Sequence, residues 1–192
     1  MPYVSSRRRK AFPNFSVPCS MIITNTVFAD LDTLDTLFDE AIAYQRSRFP
    51  SHVWQKMNRP LISAEIEEKL HWKIVEEGQI AGFFSMLYTD AMVWDERDAD
   101  PSLYLHRIVT NPVFRGKGYV REIITWANAF GKAVGKKYLR LDTGRDNRRL
   151  NEYYQECGFV FCGIKQFNED AGPEVPRHYL GSGLSLYEKR IE

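Results

Sequence analysis

The chain has 192 residues, 44% of them apolar and 14% aromatic, enough for one well-filled core and, by length, for a single domain. Its 26 basic and 25 acidic residues leave a formal net charge of +1, so there is no overall basic field of the kind a nucleic-acid binder carries, and any anion site must be local. No run approaches the roughly 18 continuous apolar residues of a membrane span, and Cys19, Cys157 and Cys162 fit no zinc spacing, so they read as free thiols of a reducing, cytoplasmic compartment.

Residues 1–20 carry the run Arg7-Arg8-Arg9-Lys10, three prolines and no acid, and they lack the apolar stretch of a secretory signal. They read as a flexible basic extension, with residues 21–192 forming one domain. Met21 to Val27 is a β-rich run. A helix follows from Asp30, with acids in its first turn and Leu31, Leu34, Leu37, Phe38 and Ile42 on one face. Residues 46–60 are irregular, basic and aromatic. Ser63 is expected to cap a second helix through Leu70.

Strands are predicted over 71–75 and 80–88 with a turn between them, then an acidic loop from Trp94 to Asp100, then a strand over 103–110. A helix after Gly118 carries Val120, Ile123, Ile124, Ala127, Phe130 and Val134 on one face and ends near Gly135. The strand 137–143, a helix from Asn147 to Cys157 and strands over 159–164 and 183–190 complete the chain. The order β-α-α-β-β-β-α-β-α-β-β implies an α/β fold with a mixed sheet, antiparallel in its middle and parallel across the helical crossover from 103 to 143.

The stretch Asn111-Pro-Val-Phe-Arg-Gly-Lys-Gly-Tyr-Val-Arg poses a question, because glycine in a first helical turn costs roughly 1 kcal/mol against alanine. Bare amides at a helix start can bind phosphate, and Arg115, Lys117 and Arg121 add positive charge around them. The Walker and dinucleotide fingerprints are both absent. Glycines that only let a loop turn are the plain alternative.

Arg115-Gly-Lys-Gly-Tyr-Val resembles the Arg/Gln-x-x-Gly-x-Gly/Ala signature of the GNAT N-acyltransferase superfamily, with Val120 standing where Gly or Ala is usual. Asn147-x-x-Leu150-x-x-x-Tyr154-x-x-x-Gly158-Phe159 is similar to that family's second half-motif, Asn-x-x-Ala-x-x-x-Tyr-x-x-x-Gly-Phe. The resemblance covers residues 103–164 closely and the rest of the chain from Met21 by element order.

It implies a GNAT-like fold with a splayed parallel strand pair, and acetyl-CoA as co-substrate with no metal. The coenzyme would be held by Ile108, Val109, Thr110, Arg115, Gly116, Lys117, Gly118, Tyr119, Val120, Arg121, Asn147, Leu150 and Tyr154. Arg148 and Arg149 would be near the 3′-phosphate. Tyr154 would be the general acid for the departing thiolate. His106 is the leading base and Asp142 the second, since an amine of pKa about 10 must lose a proton before it attacks. The acceptor is expected to be a small-molecule primary amine; a protein N-terminus or lysine, and a silent acyl-CoA sensor, are the alternatives. No nucleic acid or membrane partner is expected, and homodimers are frequent in the superfamily.

The acceptor's charge is ambiguous in the sequence. Arg46, Arg48, Lys56 and Arg59 suit an acidic group, whereas Glu169, Asp170 and Glu174 suit a cation. Trp54, Phe84, Tyr88 and Trp94 are candidates for an apolar pocket.

Overall fold

A computed structural model describes residues 21–48, 53–168, 170–172, 175–181 and 183–192; the basic extension, Glu169 and Glu174 lie outside them. The strands are β1 (Ile22–Asn25), β2 (His71–Glu76), β3 (Gln79–Leu87), β4 (Ser102–Thr110), β5 (Tyr138–Gly144), β6 (Val160–Lys165) and β7 (Leu184–Arg190). The helices are α1 (Leu31–Arg48), α2 (Arg59–Glu67), α3 (Ala91–Trp94), α4 (Tyr119–Ala133) and α5 (Arg148–Glu156).

Two local departures from expectation have simple causes. Asn58, not Ser63, caps α2: its side chain accepts from the Leu61 amide at 3.2 Å, and Pro60 sits in the first turn, where its missing N–H is harmless. The acidic stretch after Asp90 is not a plain loop but α3 followed by a 3-10 turn, Asp95–Ala99.

The strands form one sheet in the order β1-β2-β3-β4-β5-β7-β6. Its pairings are antiparallel, except that β4 and β5, joined through α4, are parallel. On one face Ile123, Ile124 and Ala127 of α4 pack on Phe84, Met86, Leu103, Leu105, Leu139 and Leu141. A fully buried isoleucine contributes about 2 to 3 kcal/mol, so this stripe anchors α4 firmly. Val134 leaves the stripe; it follows the helix end and is exposed. On the other face α1 and α2 cover Phe83 and Val109, while Val93 and Trp94 of α3 cover Tyr104, Leu184 and Leu186.

Buried Arg140 ties β5 to the α3 region, donating to Asp100, Glu188 and the Tyr104 hydroxyl with its guanidinium 4.7 Å from the Trp94 ring. Such a cation is tolerable in a core because its donors are met.

The parallel pairing is short. Ser102 to Leu105 pair with Tyr138 to Leu141, and there it stops. Beyond that point β4 stays on β3 as far as Thr110, and β5 stays on β7 as far as Gly144, so the two strands part into a wedge. A bulge drives the parting: the β3–β4 register shifts between Phe83 and Ser85, and Arg107 takes a φ of 50°, sterically costly for a residue with a Cβ.

Gly82 lies under this bulge, where an added Cβ would stand 2.7 Å from the Val109 carbonyl oxygen. Backbone cannot yield as a flexible side chain does. Gly82→Ala is therefore expected to destabilise the fold by about 1 to 3 kcal/mol, read as a lower chemical-denaturation midpoint; an unchanged midpoint would mean that the bulge adapts freely.

Candidate active site

At the mouth of the wedge, Asn111 accepts from the Val113 amide at 3.0 Å and donates to the Ile80 carbonyl at 2.9 Å, pinning the strand exit. Gly116 and Gly118 then take φ of 87° and 76°, the left-handed region in which a Cβ is penalised. Gly118 is the N-cap of α4, and its carbonyl accepts from Arg121 and Glu122. Among the described residues, no protein acceptor meets the amides of Gly118, Tyr119 and Val120. They face a recess lined by Thr110, Phe114, Gly116 and Tyr153. Val120 packs in part against the core and also lines this recess.

The basic side chains here already have contacts. Lys117 Nζ lies 2.7 Å from Glu76, which also accepts from the Tyr119 hydroxyl. Arg115 lies over the Tyr44 ring of α1, and Arg121 lies over Tyr153 and near Glu156. What the turn offers an anion is bare amides and the positive end of the helix dipole, more than free cations. Arg148 pairs with Glu152 on the surface. Asn147 caps α5, accepting from the Leu150 amide at 3.2 Å.

At the crotch of the wedge the first residues beyond the last parallel pair are His106 and Asp142. His106 Nδ1 lies 3.8 Å from Asp142 Oδ1, and its Nε2 lies 3.2 Å from Asp90 Oδ2. The Asp90 contact is off the line of the ring N–H, so both atoms stay buried without a directed hydrogen bond. Burial disfavours the imidazolium, but Asp90 and the charge of Asp142 outweigh it and raise the His106 pKa above the usual 6.5. Burial first, and then the charge of Asp90, push Asp142 up to about 6 against the pull of His106.

Asp90, His106 and Asp142 each bring a ligand-type atom within 4.8 Å of the others. In this arrangement the two carboxylates approach different ring nitrogens of His106.

Asp90 was not singled out in the sequence. Its signal is modest: an acid directly before Ala91-Met-Val-Trp, a helix-start pattern. Also unforeseen is a neighbouring network in which Arg107 donates to Glu65 and Ser85, and Ser85 donates to Glu65 at 2.6 Å.

Tyr154 is buried beside Phe159 and Tyr187 with Leu150 nearby in the same core. Its hydroxyl makes no hydrogen bond among the described residues, yet it is not sealed from solvent. Burial, followed by the charge of Asp142, raises its pKa, so the phenol keeps its proton at neutral pH. Asn151 secures the helix beneath it, accepting from Tyr187 at 2.9 Å and donating to the Gly144 carbonyl at 3.0 Å. The four aromatics proposed for one pocket are dispersed. Phe84 faces α4, Trp54 stacks on Phe38, Trp94 covers Arg140, and Tyr88 is exposed against Lys136.

Residues 34–159 match the model of the acetyltransferase (GNAT) family. The chain belongs to that family. Similar to it is an uncharacterized N-acetyltransferase of Bacillus subtilis, 29% identical over 102 residues, covering 53% of this chain and about half (48%) of that relative's length. Among solved structures, a GNAT acetyltransferase of Listeria monocytogenes matches with a TM-score of 0.71 at 23% identity, covering 89% of this chain and 95% of that one. A Salmonella typhimurium chain described as an acetyltransferase and solved with its cofactor acetyl-CoA matches at 0.61 and 13%, over 90% of this chain and 94% of that one. These structures share the GNAT sheet. Among the described residues no helix is long and apolar enough to cross a membrane.

The raised Asp142 pKa has a stability consequence of definite sign. Between about 4 and 6 the folded chain holds a proton on Asp142 that the unfolded chain has released, so this group lowers stability as pH rises through that window. Asp142→Asn removes the titration. Its melting temperature relative to wild type should climb from pH 4 to pH 6, and a constant difference would contradict the placement of Asp142.

Proposed function

We propose that the protein transfers an acetyl group from acetyl-CoA directly to the primary amine of a small molecule. One observation carries this reading: the wedge between β4 and β5 opens where the unmet amides of Gly118 to Val120 meet its mouth. A diphosphate at those amides aims the attached arm between the strands. Ile108, Val109 and Thr110 lie on the freed stretch of β4, where a backbone N–H can donate to the thioester oxygen and stabilise the charge developing there.

His106, its pKa raised by Asp90 and Asp142 against the effect of burial, takes the proton that the acceptor ammonium must lose, with Asp142 steadying the resulting imidazolium. The amine nitrogen then bonds to the acyl carbon as the carbon–sulfur bond breaks. Tyr154, still protonated, donates to the departing thiolate, and the second proton that the nitrogen sheds as the amide forms restores the phenol through solvent. The family match and the Salmonella structure solved with acetyl-CoA support the choice of coenzyme.

Acetyl-CoA is expected to raise the melting temperature of the wild-type chain, and Gly118→Val, which puts a branched side chain at a φ of 76°, is expected to abolish the rise. An equal rise in both would argue against the turn. Tyr154→Phe is expected to lower kcat about a hundredfold in a thiol-release assay while coenzyme affinity stays within about twofold. Unchanged kcat would remove the phenol from the chemistry.

A further inference from the structure

The β4 bulge brings two neighbouring side chains to one face of the sheet. Between the register pairs Phe83–Val109 and Ser85–His106, Phe84 alone of β3 stands opposite Arg107 and Ile108 of β4. In a regular strand Arg107 would point away from the face that His106 takes. Instead its guanidinium donates to Ser85 Oγ at 3.0 Å, the side chain across from His106, and to Glu65 of α2. The positive φ of Arg107 is the backbone cost of that turn.

Glu65 is placed to hold the turn. It is 5% exposed, and its second carboxylate oxygen accepts from Ser85 at 2.6 Å. His71, a basic side chain beside it, is pushed down to about 4, chiefly by burial, and stays neutral, so Arg107 supplies the counter-charge that a buried carboxylate needs. α2 gives the clamp a firm base, because its Ile62 and Ile66 pack with Phe83 and Val109 on either side of the bulge.

Resting on the acetyl-transfer reading above, we propose that Glu65 is a positioning residue for proton removal: by clamping Arg107 to α2 it holds the bulge that turns His106 toward Asp142 and Asp90. Without the clamp, β4 relaxes toward regular alternation and the imidazole swings away from its carboxylates. The charged groups around His106 are Asp90 before α3, Asp142 of β5 and Arg107 of its own strand. Tyr179, from the segment between β6 and β7, has a phenol raised by burial and then by both carboxylates, so it stays neutral. Burial lowers the His106 pKa, Asp90 and Asp142 raise it, and Arg107 lowers it again, with the balance above the usual 6.5. A ring that leaves this setting therefore titrates lower, whereas loss of the arginine's charge alone would move it up.

The test is the His106 titration, followed by NMR in the full coenzyme-free chain, for Glu65→Gln and for the double variant Glu65→Leu with Arg107→Met. The double variant exchanges a buried ion pair for apolar side chains, a change that cores often tolerate, and it covers the case in which Glu65→Gln does not fold. In both, the His106 midpoint should fall by about half a pH unit or more, in the double variant against the direction set by the lost charge of Arg107. Thiol release is read with butylamine, phenethylamine and glycinamide as acceptors. With the best of them, kcat should fall about tenfold in either variant while the KM for acetyl-CoA stays within about twofold. A folded double variant whose His106 midpoint stays or rises, or whose kcat stays within about twofold of wild type, would overturn the proposal. A lowered midpoint in a chain whose wild type releases no thiol would retire acetyl transfer and keep the clamp; wild-type turnover with an unmoved midpoint would retire the clamp and keep the enzyme.

Discussion

The constraint on which the rest depends is the early end of one strand pairing. β4 and β5 share four residues of parallel register, up to Leu105 and Leu141, before each commits to its outer neighbour. Backbone groups freed in this way must find other partners or face a heavy desolvation cost. The molecule accepts that exposure, together with the positive φ of Arg107, because the surrounding structure over-determines it: α4 is packed by Ile123 and Ile124 beneath, Gly82 allows the close approach of β3, and Arg107 is tied to Glu65 and Ser85.

Two chemistries converge on the opening from opposite ends. At the mouth, glycine conformations present helix-start amides to an anion, and the nearby cations stay anchored to Glu76, Glu156 and aromatic rings. At the crotch, His106 and Asp142 project because they are the first residues after pairing stops, and the β-strand alternation that buries Leu105 and Leu141 against α4 turns these two toward the opposite face. In the proposed reaction, position along the wedge separates the binding of phosphate from the handling of protons.

Much of this was legible in the sequence because local rules agree with the global fold. The 3.6-residue stripe of α4, the Arg-Gly-Lys-Gly turn and the Asn147 cap each have a short-range cause, and each sits where expected. Asp90 and the Glu65-Ser85-Arg107 network were not legible, since they join residues from different elements that approach only through tertiary packing. The α2 start was misread for a different reason: Ser63 is a good cap in isolation, but Asn58 with Pro60 is a stronger start one turn earlier. The aromatic residues failed as a pocket because composition does not reveal which face of the sheet each one occupies.

The most direct measurement is a crystal structure of the chain with bound coenzyme A. The account predicts a diphosphate within hydrogen-bond distance of the amides from Gly118 to Val120, with the pantetheine arm running between β4 and β5 beyond Leu105 and Leu141. A coenzyme bound on another surface, with that wedge and that turn both free of it, would contradict it.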